Sequence, residues 1–328
     1  MSDLKRIISS FIFKILILIF TLITLCVGVL YSPIGILAPT YFNEPKLFIV
    51  RKGDSLKEIA LKLTEQNLIK HPISAYIATL ILNKRGKLQA GEFVFTGTNT
   101  PIDIIKALSS SANAYRFITV TEGMSVKQII RLLKDTEHLE GDITNIPNEG
   151  FILPETYAYT FGENRQDVLN RMVLEMEKLL KQVNIEFFNH PYIKNHQDLL
   201  TLASLVEKET GIADERAEIA GVYLNRLKLN MPLQCDPTVI YGMTQGEKLD
   251  RHLTLTDLQH HTPYNTYTNR GLPPGPIACP GKKAILAVLS PTSTRNLFFV
   301  ANGTGGHSFA PDLNGHNRNV AAWRKVQK

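Results

Sequence analysis

Between Phe11 and Tyr31 the chain runs for 21 residues with one charge, Lys14, and from Ile15 onward its only polar breaks are Thr21, Thr24, Cys26 and Gly28. A segment of that length and apolarity is long enough, as a helix, to cross a bilayer. A cleaved signal peptide shares the basic start and apolar middle, but its apolar stretch is shorter and ends at small residues, and no such site precedes Ala38. The segment is therefore expected to stay as an anchor. Lys5, Arg6 and Lys14 precede or enter it, whereas the first charge after it is Glu44. The positive-inside rule then predicts a cytoplasmic tail over residues 1–10, an anchor over 11–31, and an exported remainder.

The rest of the 328-residue chain is long enough for two domains with their own cores. Its net charge of +6 is spread along the sequence without a Lys/Arg block, which argues against nucleic acid as a partner and leaves room for an anionic polymer or lipid surface. Three cysteines, Cys26, Cys235 and Cys279, match no metal spacing or disulfide framework. The last two read as incidental small residues that could pair in an oxidising space.

An internal repeat organises the first exported segment. Phe48 to Leu63, with Gly53, Ser55, Leu56 and Ile59, realigns seventy residues later with Ile118 to Leu133, with Gly123, Ser125, Val126 and Ile129. Each copy predicts a strand, a glycine turn, a serine N-cap and an amphipathic helix. The first copy continues into helical patterns over Ile73–Leu82 and Ile102–Leu108 with a strand at Gly91–Phe95 between them, a compact α+β unit. Its opening, Val50 to Ala60, resembles LysM modules, which bind N-acetylglucosamine-containing glycans.

The second half holds the chemistry. From His196 to Glu209 the pattern is helical, with Asp198 as the expected cap and Leu199, Leu202, Leu205 and Val206 in one arc. At about 100° per residue Glu209 falls between Leu202 and Leu205, Lys208 falls on the polar side, and Glu207 lies at the opposite edge of the arc. A carboxyl against apolar neighbours at a helix C-terminus resists ionising, as a general acid at neutral pH must. The wheel favours Glu209 for that part without excluding Glu207. A second helix is expected from Asp214 onward, its apolar face formed by Ile219, Val222, Tyr223 and Leu227, stopping before Asn230 and Pro232.

Downstream, Leu233 to Gly242 places Asp236-Pro237 at a helical turn, and Tyr264 to Ile277 is too rich in glycine and proline for regular structure. Long loops of this kind commonly build sites, with tyrosine faces stacking on sugars and amides and carboxylates reading hydroxyls. Leu297–Val300 and Phe309 suggest two strands joined by a glycine-rich turn, followed by a last helix led by His316 and Asn317. His307 and His316 alone do not make a metal site, since no His-x-x-x-His, cysteine pair or acidic triplet accompanies them. Gly-x-Ser-x-Gly, Walker and Rossmann patterns are absent.

Together, Ala203 to Thr210, Ala213 to Arg216, Val222 to Leu227, Leu233 to Gly242, Tyr264 to Thr268, Gly271 to Ile277 and Gly305 to Phe309 resemble the endolytic murein transglycosylases of the YceG-like family. The resemblance implies an α+β protein with a single transmembrane helix, a LysM-like subdomain at 45–114 and a mixed α/β catalytic domain at 115–328. It implies a lyase that cuts nascent peptidoglycan at the β-1,4 bond between N-acetylmuramic acid and N-acetylglucosamine, leaves a 1,6-anhydro end, and ends strand elongation. The family's catalytic glutamate maps onto Glu209. Gln234, Asp236, Tyr241, Asn265 and Tyr267 become candidates for the sugar groove, with no cofactor or metal called for. Partners would be glycan strands, the plasma membrane, and synthases or division and elongation proteins. Cys235 and Cys279 depart from the family pattern, and a disulfide between them would tie two loops together. A tether that binds glycan without cutting it is the alternative from another class, and a hydrolase using water is a third reading.

Overall fold

The computed structural model describes residues 2–110, 114–183 and 191–326, with side chains from Phe11 onward. Lys5 and Arg6, on which the expected orientation rests, therefore have side chains outside the described residues. Two compact units emerge, one of residues 1–116 with 160–162 and one of residues 117–159 with 163–328.

In the first unit, helix α1 (Ser2–Tyr31) contains the one helix segment among the described residues that is long and apolar enough to span a membrane, and none of that segment is buried in the protein. Strand β1 (Thr40–Val50) precedes helices α2 (Leu56–Glu65) and α3 (Pro72–Ile81), strand β2 (Gly91–Asn99) and helix α4 (Pro101–Leu108). The strands pair antiparallel with Phe48 opposite Phe93, and an irregularity falls between Phe42 and Lys46. Phe48, Val50, Phe93 and Phe95 face inward against Ile59, Leu63, Ala75, Ala78 and Ile104, so alternation along the strands meets a three-to-four spacing on the helices in one core. α2 starts where expected, with Ser55 and Glu58 forming a reciprocal capping box. The second helix instead begins at Pro72 with His71 as its cap, the ring nitrogen accepting from the Ile73 amide.

The second unit opens at Phe117, within β3 (Arg116–Thr119), whose pairing partner is β5 (Thr156–Tyr159), and helix α5 (Val126–Asp135) lies between them in sequence. Short strands β4 (Leu139–Glu140) and β6 (Glu163–Asn164) pair in parallel. The second repeat copy thus packs here, with Ile118, Ile129 and Leu133 buried against Tyr157, Leu169 and Met172 of helix α6 (Arg165–Gln182) and its neighbours. A larger core surrounds α7 (His196–Glu209), α8 (Arg216–Lys228), α9 (Asp236–Thr244) and α11 (Lys282–Leu289), with the short helix α10 (Leu255–Gln259) preceding the proline-rich loop. The hairpin of β7 (Phe298–Ala301) and β8 (His307–Ala310) pairs Ala301 with His307, and α12 (Leu313–Val326) follows.

Three local expectations shift. α7 is capped by Asn195, which accepts from the Asp198 amide, while the Asp198 carboxylate accepts from the Lys194 amide, so Asp198 is an inner partner of the cap. The last helix begins three residues ahead of His316, at Leu313. Cys235 and Cys279 are separate buried thiols in different apolar clusters, so the two loops are held by other means.

Both repeat copies use a serine cap, but in different settings. Among the described residues Ser55 bonds only within its own turn, whereas the buried Ser125 hydroxyl also donates to the Gly246 carbonyl at 2.7 Å. Ser125→Ala should cost about 2 kcal/mol of stability in urea unfolding, and Ser55→Ala about 1 kcal/mol, because only the former leaves a distant carbonyl unbonded. Equal losses would show that the long-range bond contributes nothing.

Candidate active site

The end of α7 sends three consecutive side chains in three directions. Eight residues from Leu199 to Val206 are buried, and the helix terminates at Glu209 with Thr210 as its extended C-cap. Ser204 Oγ accepts from the Ile277 amide at 3.0 Å, which holds the proline-rich loop against the helix. Glu207, with a side chain only 4% exposed, accepts from Arg216 Nη2 at 3.2 Å and from the Gly281 amide at 2.9 Å. It is a buried anchor between α8 and the start of α11. Lys208 turns outward.

Glu209 lines a cavity of about 530 Å³ with Arg226, Gln234, Asp236, Tyr267 and His307, walled by Phe298 and Phe299. Tyr223, fully buried on α8, donates its hydroxyl to Glu209 Oε1 at 2.8 Å, and the buried Cys235 thiol is also in hydrogen-bond contact with this carboxyl. Burial raises the pKa of Glu209 above the ordinary carboxylate value, and the nearby Asp236 pushes the same way. Hydrogen bonds from Cys235 and Tyr223 and the proximity of His307 oppose them without reversing the shift. The wheel's preferred carboxyl is thus the one that faces a cavity, while Glu207 is consumed in structure.

The helix α8 builds the opposite wall. Asn225 donates to the Thr294 and Asn296 carbonyls, and Arg226 Nε donates to the Leu297 carbonyl at 2.6 Å, so one helical turn carries the strand β7 into place. The Arg226 guanidinium lies 5.1 Å from the Phe298 ring centroid, a cation–π contact. At the hairpin turn the Asn302 side chain accepts from the Thr304 and Gly306 amides, which delivers His307 as the first residue of β8. Glu215 then accepts from both the His307 backbone amide at 2.7 Å and ring Nδ1 at 2.8 Å, leaving Nε2 as the ring nitrogen it does not engage. A Cβ on Gly306 would lie 2.5 Å from Glu215 Oε1, so this approach requires glycine. Burial alone would raise the pKa of Glu215, but the bonds from His307 outweigh it and hold the carboxyl below its usual value.

Of the sugar-groove candidates, Gln234, Asp236 and Tyr267 share the cavity with Glu209. The Tyr267 hydroxyl donates to Asp236 Oδ1 at 2.5 Å, and Gln234 holds φ at +52°, a left-handed conformation uncommon for a side chain larger than glycine. Asn265 is buried and spends its amide on the Leu258 and His260 carbonyls while its oxygen accepts from the Tyr267 amide. It scaffolds the loop and does not line the cavity, because every polar atom is engaged inside the chain. Tyr241 belongs to a different cleft on the other face of α9, its ring 4.8 Å from that of Tyr264 and its hydroxyl donating to Glu149.

Sequence reasoning passed over Tyr223 as a core residue, Cys235 as incidental and His307 as an incomplete metal ligand. Only the helical spacing of Tyr223 to the α7 contact, and the placement of His307 after a glycine turn, carried any signal, and neither names a carboxyl partner.

The sequence pattern of the YceG-like family matches residues 48–322, covering the whole cavity. The chain belongs to the YceG-like family. It is 33% identical over 302 residues to an endolytic murein transglycosylase of Bacillus subtilis (strain 168), spanning 82% of each chain. With an endolytic murein transglycosylase of Streptococcus pneumoniae serotype 2 (strain D39 / NCTC 7466) it shares 28% identity over 335 residues, covering 87% of this chain and 60% of that relative. The crystal structure of a YceG-like protein from Listeria monocytogenes aligns with a TM-score of 0.55 at 25% identity, over 84% of this chain and 99% of that one. The YceG-like match includes the α7 terminus, the Tyr223 turn and the hairpin that together surround Glu209.

Because Glu209 holds its proton more tightly in the folded chain than unfolded, it adds stability at low pH that is lost as pH rises through its raised pKa. Glu209→Gln cannot ionise, so it should melt above the wild type at pH 8 and level with it near pH 4, with roughly 2–4 °C of Tm for each kcal/mol. A Tm difference that is the same at both pH values would show that this carboxyl ionises freely.

Proposed function

We propose that this chain is an endolytic transglycosylase of murein, with Glu209 as the single group that moves the proton. The observation that carries the reading is a carboxyl with a raised pKa, backed by a buried apolar helix and gripped by Tyr223, facing a cavity large enough for sugar rings. The names of the Bacillus and pneumococcal relatives support it.

Protonated Glu209 donates to the oxygen bridging N-acetylmuramic acid and N-acetylglucosamine as the bond to C1 breaks, and positive charge develops on the muramic ring. The carboxylate so formed accepts from Tyr223 and Cys235, which limits the cost of its charge. The C6 hydroxyl then closes on C1, and its proton returns to Glu209. One C–O bond is exchanged for another, the net proton passes from O6 to the departing sugar, and no water is consumed. Proton transfer of this type contributes about 10²–10⁴-fold, the remainder coming from ring distortion and charge stabilisation. Gln234, Asp236 and Tyr267 are assigned to sugar hydroxyls in this reading.

In the same reading the anchor holds the N-terminus in the cytoplasm and the two units outside. The strand–helix–helix–strand part of the first unit serves as a LysM-like grip on glycan, keeping the enzyme on nascent strands and bringing it to bear on their elongation.

Asp236 gives the hydrolase reading its one specific support, since a second carboxylate in the cavity is what water activation would use. Mass spectrometry of digested strands decides between them. Ends one water lighter than hydrolytic products are expected, and their release should fall at least 10³-fold in Glu209→Gln while Glu207→Gln, if folded, keeps the product type. Hydrated ends, or full activity in Glu209→Gln, would overturn the assignment. Strand binding without any new ends would leave only a tether.

A further inference from the structure

The outward residue of the α7 terminus, Lys208, faces a second cleft of about 360 Å³ on the far side of α9 from Glu209. Adjacent residues divide between the two hollows: Glu209 and Asp236 line one, Lys208 and Pro237 the other. The two hollows thus abut at two pairs of consecutive residues, one at the end of α7 and one at the start of α9.

The second cleft has a built frame. Its rim, residues 246–249, is tied to α5 by the Ser125 bond to the Gly246 carbonyl and by Glu247, which pairs with Lys127 at 3.1 Å and Arg131 at 2.6 Å. Gly246 sits at φ +87°, and a Cβ there would come within 2.6 Å of Ser125 Cβ. Tyr241 lines it, with a hydroxyl that donates to the half-buried Glu149 at 3.2 Å, and Glu149 also accepts from the Val126 amide at 2.9 Å.

Charge decides what such a cleft would hold. Among the described residues the one carboxylate in its lining, Glu247, is taken by Lys127 and Arg131. Among the described residues Lys208 Nζ meets only the uncharged Gly123 carbonyl at 3.3 Å, and Lys248 pairs loosely with Asp250 at 3.5 Å with both side chains almost fully exposed. Two cations and a tyrosine in one lining favour a flexible ligand with carboxylates. Resting on the transglycosylase reading above, we infer that this cleft takes the stem peptide carried by the muramic acid of the strand being cut, with Lys208 and Lys248 receiving its carboxylates. The protein thereby selects strands that still bear peptide.

The test uses the full chain in detergent and compares kcat/KM on peptide-bearing strands with that on strands stripped of peptide. The wild type should favour the former, and Lys248→Ala and Lys208→Ala should each reduce that ratio about fivefold, with melting temperature confirming the fold. Amidating the stem carboxylates should lower the wild-type ratio to the same extent. A ratio unmoved by either substitution, or indifferent to amidation, overturns the assignment. Absence of cleavage on every strand, in the wild type as well, would instead remove the transglycosylase reading and is told apart by that control.

Discussion

Withdrawal of one carboxyl from water is the constraint around which the second unit is arranged. Burial of Leu199 to Val206 makes α7 an apolar rod whose final residue is acidic, and the same burial that stabilises the rod raises the pKa of Glu209. Most elements nearby can be read as keeping that arrangement dry and aligned. Ser204 holds the proline-rich loop, Glu207 ties α8 and α11 to the helix end through Arg216 and Gly281, and Tyr223 meets the carboxyl from the next helix. A buried ion pair such as Glu207–Arg216 costs desolvation and adds little net stability, so its use here is better understood as orientation.

The opposite wall shows how few contacts are needed to aim a hairpin. Asn225 and Arg226 seize three backbone carbonyls just ahead of β7, and Glu215 grips His307 at two atoms just after the turn. The hairpin is thus clamped at both ends to α8 and its entry turn. The imidazole presented to the cavity is held by a carboxylate, which confines the ring to one orientation, as a carboxylate partner does for histidines in other sites.

Much of this was legible beforehand, for identifiable reasons. Helix α7 has a 3.6-residue period and the repeat has serine caps, and both signals are local, so the elements and the inward turn of Glu209 follow from neighbours in sequence. The cavity's other members are long-range. Tyr223 is 14 residues from Glu209 and reads as core, and the Glu215–His307 pair spans 92 residues. Asn265 and Tyr241 were drawn into the groove because their residue types suit sugars, but one is spent on loop carbonyls and the other lies beyond α9. Residue type states what a side chain could bind, and only the path of the backbone states where it faces. The cap of α7 moved from Asp198 to Asn195 for a related reason, since both residues have suitable oxygens and the chain uses them reciprocally.

The close succession of Glu207, Lys208 and Glu209 has a consequence for how this segment can vary over time. Each residue advances about 100° around the axis, so inserting or deleting one would swing the anchor into a hollow and the acid into solvent or against Arg216. Point replacement at Lys208 alters one exposed group, whereas a change in length exchanges all three duties at once. Among descendants of this chain, tolerated length variation belongs in the loops well away from the end of α7, and the spacing from Ser204 to Thr210 should be inherited as a rigid ruler.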